Sequence, residues 1–286
     1  SGSAQVNNEE TINLLEGMLV KQSENKVKLN MTLAEAYSNN PAYIPTLEEL
    51  KEIRKESDVA IYTITRNARD GADRDDVAGD YYLSKQETDD IKNLIEAGFE
   101  SSGMSDLIKK QRFDNFSLDY YQGGDRLTME QNLELCHNYA VAFGKNSESL
   151  LFMGNTGLGK THLSTSIASS VIEKGYDVVY ETAQNLISTF SNERFHSYGN
   201  VDKSGGSSRY FECDLLIIDD FGTEESNQFS VACFYNLINT RYNRHFAVYL
   251  SVGTLHGGSD LKAVSAEVVK VEVGVIYCDN IYASVK

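Results

Sequence analysis

Gly154-Asn155-Thr156-Gly157-Leu158-Gly159-Lys160-Thr161 stands between a short apolar run and a helical pattern. Few octapeptides restrict a fold as tightly, because it meets G-x-x-x-x-G-K-[ST] at every fixed position. Gly154, Gly157 and Gly159 carry no Cβ, so the backbone can curl and turn its N–H groups toward one anion. Lys160 adds a mobile positive charge for the β- and γ-phosphates of a nucleotide, and Thr161 adds a hydroxyl for Mg²⁺. Asn155, Thr156 and Leu158 complete the candidate binding loop, and His162 falls in the first helical turn near the phosphates. The flanks agree. Ser149 to Met153 reads as a buried parallel strand. Leu163, Ile167, Val171 and Ile172 recur at helical spacing, and Gly175 supplies a stop. The helix that starts at the loop aims the positive end of its dipole at the same anion.

Strands and helices alternate beyond the loop. The pattern predicts a helix from Thr128 to about Phe143, a strand at Val178 to Tyr180 and a helix from about Ala183 to Phe190. A strand at Leu215 to Ile218, a helix from about Gln228 to Tyr242 and a strand at Phe246 to Leu250 follow. Such alternation implies a parallel sheet covered on both faces, with ligands beyond the carboxyl ends of its strands. The run Asp214 to Ile218 is an apolar strand, and it ends in Asp219 and Asp220. One carboxylate there can hold Mg²⁺ and the other can orient and deprotonate an attacking water. We assign Asp219 to the metal and Asp220 to the water. Acids also end strands for solubility; the glycine loop upstream is what favours the chemical role.

The chain has 286 residues, 42 acidic against 26 basic, and a formal net charge of −16. Nucleic-acid binders that act alone are usually basic, so the balance points to a protein partner. More than half of the acidic excess lies in the first hundred residues. No apolar run approaches a membrane span and no secretory signal is visible, which gives a cytoplasmic expectation with no membrane partner. Cys136, Cys213, Cys233 and Cys278 are far apart and lie in or beside apolar stretches. They read as buried reduced thiols rather than zinc ligands.

Residues 1–110 read as an acidic, mostly helical region distinct from residues 111–286. Ile12, Leu14, Leu15, Met18 and Leu19 suggest an amphipathic helix over Glu9 to Val20. Pro41 and Pro45 punctuate a linker, and Thr46-Leu47-Glu48-Glu49 reads as a helix cap. Arg66 to Asp80 is polar and rich in aspartate, hence a solvated loop. A further helix is predicted over Lys85 to Ala97, and His196 to Ser208 is a glycine- and serine-rich loop.

The run Asp219-Asp220-Phe221-Gly222-Thr223-Glu224, taken with Leu151 to Ser164, resembles the bacterial DnaC/DnaI helicase loaders of the AAA+ class. The aromatic stretch Phe113 to Tyr121, Asp177 to Ala183 and Asn236 to Arg241 also look like that family. The resemblance covers about residues 111–244. It implies an AAA+ P-loop sheet in which the strand Phe246 to Leu250 lies between the loop strand and the Asp219 strand. It implies ATP and Mg²⁺ as cofactors, a replicative DNA helicase as partner, contact with single-stranded DNA, and leaves room for a homo-oligomer. In that family the aromatic stretch would flank the adenine or pack on the core, and core packing is the expectation here. The alternatives are a transposition helper ATPase and a nucleotide-gated adaptor that does not hydrolyse ATP.

The sequence also departs from the family pattern. The first cysteine is Cys136, so a zinc module ahead of the ATPase core is missing or replaced. Only Ser251 or Thr254 could take the part of the polar sensor at the end of the fourth strand. No arginine follows Arg244, so the finger and sensor arginines that hydrolysis would use are not found, and ATPase turnover is left open. From about His245 the tail lacks the helical period of a lid. Val268 to Val275 alternates like a strand, and the loss of resemblance suggests a rearranged or out-of-frame end, or a fragment of a diverged element gene.

Overall fold

A computed structural model of the chain describes residues 13–57, 59–64, 75–196, 206–222, 227–252 and 273–277. The chain divides into two compact units, Ser1–Ala97 and Gly98–Lys286.

The first unit is built on local signals. Helix α1 (Leu14–Ser23) starts at Asn13, whose side chain accepts from the Glu16 N–H while Glu16 returns a bond to the Asn13 N–H. Helix α2 covers Thr32–Asn39. Helix α3 (Leu47–Arg54) opens on the same reciprocal box, between Thr46 and Glu49, as the sequence predicts. Helix α4 (Lys85–Ser101) runs on past the predicted end at Ala97. The expected amphipathic helix is shorter than read: α1 begins at Leu14, and residues 9–12 lie outside the described ones. None of its residues is buried, and Leu14, Leu15, Leu19 and Val20 are exposed. Most of the predicted solvated loop, residues 66–74, also lies outside the described residues.

The second unit is a five-stranded parallel sheet flanked by helices. After helix α5 (Gly123–Ala142) come β1 (Ser149–Met153), α6 (Lys160–Glu173), β2 (Val178–Thr182), α7 (Ala183–His196) and α8 (Ser208–Glu212). Then follow β3 (Leu215–Phe221), α9 (Gln228–Asn243), β4 (Ala247–Val252) and β5 (Val273–Tyr277). The strand order is β2-β3-β4-β1-β5. Every pairing is parallel, with Leu151 beside Leu250 and Ile217 beside Tyr249. β4 therefore lies between the loop strand and the Asp219 strand, as the AAA+ resemblance implies. α6 lies against β2, β3 and β4, and α7 and α9 meet each other over the sheet. Leu215, Leu216, Ile217 and Ile218 are wholly buried, as expected of a central parallel strand covered on both faces.

Two details fix the ends of the sheet. Arg241 of α9 is fully buried. Its guanidinium donates to the carbonyls of Tyr210 (2.9 Å) and Ala247 (2.7 Å) and reaches Asp214 O at 3.3 Å. It thereby ties α9 to the chain entering β3 and β4. At the outer side of β2, the Tyr180 N–H donates to Ser102 O at 2.7 Å. Gly103 has φ +83°, and a Cβ there would stand 2.7 Å from Tyr180 O, so only glycine fits this approach.

In the tail, β5 covers the last three residues of the strand predicted over Val268 to Val275 and lies beside β1; residues 268–272 lie outside the described ones. The rest of the tail after Val252, including Thr254 and Cys278, lies outside the described residues, as does most of the predicted loop from His196 to Ser208. Cys136 and Cys213 are buried, and Cys233 is half-buried. Among the described residues no helix is long and apolar enough to cross a membrane.

Candidate functional site

The glycine loop leaves β1 and enters α6, so it sits beyond the carboxyl end of a strand next to the middle of the sheet. Gly154, Gly157 and Gly159 have φ of 148°, 85° and 75°, the region that side chains disfavour. Asn155, Thr156 and Gly157 are exposed, and Leu158 is half-buried. Lys160 is buried, and its ammonium donates to the carbonyls of Gly154 and Asn155, both at 2.8 Å. The lysine thus folds back over the loop with its charge held by neutral carbonyls. Gly159 caps α6, and its φ aims the first turn of that helix at the loop.

The strand acids come to the same place. Asp219 is buried, and its Oδ2 accepts from the Thr161 hydroxyl at 2.9 Å. The sequence predicts that the two acids follow the strand; they lie within it. Between the pairs Ile218–Leu250 and Phe221–Val252, β3 carries two residues and β4 only Ser251. That irregularity is a bulge, which re-aims side chains at a strand end. It leaves Asp219 buried and Asp220 exposed with φ +53°, and puts both acids opposite Ser251 in the pairing. The Asp220 N–H donates to Asp219 Oδ1 at 3.0 Å. Desolvation of the carboxyl by the surrounding protein, then the charge of Asp219, push Asp220 above the usual carboxylate range, and Lys160 partly offsets the shift. Thr223 and Glu224 lie outside the described residues.

Tyr180 belongs to this cluster and is not legible from either motif. Its hydroxyl donates to Asp219 Oδ2 at 2.6 Å. Burial and the adjacent Asp219 charge raise its pKa well above the ordinary phenol value.

The aromatic stretch departs from the core-packing expectation. None of Phe113, Phe116, Tyr120 and Tyr121 is buried, and Tyr120 is exposed. Phe116 and Tyr121 are stacked, with rings 13° from parallel. A Cβ on Gly159 would stand 2.8 Å from Phe116 and 2.9 Å from the Tyr121 hydroxyl. These rings therefore lie against the loop itself. His162 joins the two segments: its Nε2 meets Arg112 O and Asn115 Oδ1, each at 2.9 Å. Asn115 Oδ1 also accepts from the Arg112 N–H, and its amide nitrogen donates to Lys110 O. Both atoms facing Nε2 are thus acceptors, so Nε2 carries the proton.

A curled glycine loop with a lysine over it, opening onto a threonine and a buried carboxylate, fits an anion accompanied by a cation. The family model for IstB-like ATP binding proteins matches residues 100–257. The chain belongs to this family. The match extends past both ends of the stretch in which the loader resemblance is visible, so β4 lies within it and the family pattern does not stop at His245. Similarity extends to curated proteins of DNA replication. The replicative helicase loader DnaC of Buchnera aphidicola subsp. Baizongia pistaciae is 26% identical over 140 residues, 49% of this chain and 54% of that one. The chromosomal replication initiator protein DnaA of Wolinella succinogenes is 32% identical over 165 residues, 57% of this chain and 35% of that one. The chain spans about half the length of the DnaC relative. Among solved structures, the DnaC helicase loader superposes with a TM-score of 0.46 at 16% identity, covering 60% of this chain and 99% of that one. The chain thus carries an IstB-like ATP-binding domain and is related in sequence to replication proteins.

Proposed function

We propose that this chain is a loader-like AAA+ ATPase of the cytoplasm that uses ATP to deliver a replicative DNA helicase to single-stranded DNA. The observation that carries the reading is the Thr161–Asp219 hydrogen bond, which joins the glycine loop to the strand acids, in a chain 26% identical to DnaC over 140 residues. In this reading the N–H groups of Gly154 to Thr161 cradle the phosphates, and Lys160 leaves its two carbonyls for the β- and γ-phosphates. Thr161 and Asp219 hold Mg²⁺, and Asp220 orients the attacking water. Mg²⁺, when bound, neutralises charge on the transferred phosphoryl oxygens. The Thr161 hydroxyl suits its role because it donates one proton to Asp219 and keeps lone pairs for a cation. Phe116 and Tyr121, standing against Gly159 with His162 beside them, offer a flat apolar wall beside the nucleotide. The domain division proposed is a helical region over 1–110 ahead of the ATPase domain over 111–286.

Lys160→Ala tests the core of the reading. It is expected to weaken ATP binding by at least ~100-fold, since it removes a charge-assisted contact from a preformed loop. Unchanged affinity by equilibrium fluorescence would sink the site. Asp220→Asn is expected to spare binding and remove turnover.

A second reading is a transposition helper ATPase. It is favoured by the IstB-like family match itself, because that family includes such helpers. Steady-state turnover separates the readings. Stimulation by a hexameric helicase with single-stranded DNA supports the loader, and stimulation by a transposase supports the helper. ATP binding without turnover under both conditions would make the chain a nucleotide-gated adaptor.

A further inference from the structure

Asp219 meets three donors. Its Oδ2 accepts hydroxyl protons from both Thr161 (2.9 Å) and Tyr180 (2.6 Å), and its Oδ1 accepts the Asp220 N–H (3.0 Å). A carboxylate offers about two acceptor sites on each oxygen. Both sites on Oδ2 are therefore taken, and the site that remains for a cation or its water is on Oδ1. Two of the three donors belong to residues already placed in the loop and the strand acids. The third, Tyr180, sits on β2 and belongs to neither motif.

Tyr180 is itself held on both sides. It is 5% exposed, pairs in register with Ile217, and its N–H is bound to Ser102 O on the other side. Its ring carries the hydroxyl from one strand to the carboxylate of the next. A buried anion with two fixed donors on one oxygen has a single rotamer, at no entropic cost when its ligand arrives.

We propose that Tyr180 is a positioning residue: it fixes the Asp219 carboxylate so that Oδ1 is the oxygen presented to the divalent cation. The inference rests on the assignment of Asp219 to Mg²⁺ in the proposed function. It adds a residue from a third strand, acting on the cation through the carboxylate rather than by touching it. Partners of this outer kind commonly set metal affinity by a factor of ten or more.

The test uses the full chain and a fluorescent ATP analogue, with affinity read in EDTA and then along a Mg²⁺ titration. Tyr180→Phe keeps the buried ring and removes only the hydroxyl. Its affinity in EDTA is expected to match the parent, while the Mg²⁺ concentration for half-saturation rises about tenfold. In an Asp219→Asn background the same change is expected to add nothing, because the two act as one unit. A merely structural tyrosine would lower affinity equally with and without Mg²⁺, and that result overturns the proposal. So does an unchanged Mg²⁺ midpoint in Tyr180→Phe when Asp219→Asn alone shifts it. If Asp219→Asn leaves the midpoint unmoved, the metal assignment falls and the inference falls with it.

Discussion

Helices α1 to α3 and strands β1 to β4 are held by different means. The helices of the first unit are specified within a turn of themselves. Asn13 with Glu16 and Thr46 with Glu49 close reciprocal boxes, and Leu50 is the one buried residue among the three helices. The strands of the second unit are specified by distant partners. β3 is paired on both sides, and its apolar residues are buried. A capping box stabilises a helix end by about 1 kcal/mol, whereas each apolar side chain fully buried in a strand contributes about 1.5–3 kcal/mol. The contrast teaches that local order and tertiary order are separable in this chain, and that the chemistry collects where the order is tertiary.

The comparison breaks most readily at Arg241. Arg241→Leu strands the carbonyls of Tyr210 and Ala247 in the interior, at about 1–3 kcal/mol each. We expect a loss of about 3 kcal/mol or more in urea unfolding. An effect no larger than that of a cap substitution would mean the sheet does not depend on this buried cation. A middle-sized effect is expected at Gly159. Gly159→Ala adds a Cβ at φ +75° against Phe116 and Tyr121 and should cost about 1–3 kcal/mol of strain. Lower nucleotide affinity should accompany it, and Phe116→Ala in the same chain should relieve the steric part. The smallest effect is at α3. Thr46→Ala should lose about 1 kcal/mol, seen as reduced helicity with the nucleotide affinity unchanged.

The same cap gives a pH signature. The Thr46 N–H, the Thr46 hydroxyl and the Tyr43 hydroxyl all donate to Glu49 and lower its pKa from the ordinary value. A lowered carboxyl pKa stabilises the folded form above the unfolded pKa and ceases to as pH falls through the folded one. Helicity should therefore drop on acidification through and below the ordinary glutamate range. Glu49→Gln should flatten that part of the profile.

How much of this was legible depended on the distance between partners. The strand, loop and helix around Gly154 are contiguous, and their order is readable from spacing alone. The Thr46–Glu49 box is three residues wide and equally readable. The place of β4 between β1 and β3 came from family resemblance, since periodicity does not order strands. What escaped was contact across the sheet. Tyr180 and Asp219 are 39 residues apart, and nothing in either segment names the other. The bulge at Asp219 and Asp220 was missed because charged residues are read as strand ends, while here the hydroxyls of Thr161 and Tyr180 keep one of them inside. The aromatic stretch misled for a related reason: aromatic density signals burial, but Phe116 and Tyr121 are spent against a glycine on the loop. The apolar positions of α1 have helical spacing and yet none of them is buried, because periodicity reports a face and not what lies against it.

The bond from the Tyr180 N–H to Ser102 O has a consequence for self-association. An outer strand usually offers its unpaired N–H and C=O groups as a template for a strand of another molecule. At the centre of β2 that donor is already engaged, and Gly103 presses on the carbonyl beside it. A foreign strand approaching there would have to displace the protein's own backbone before making its first bond. At Tyr180 the protein's own backbone stands where a foreign strand would pair.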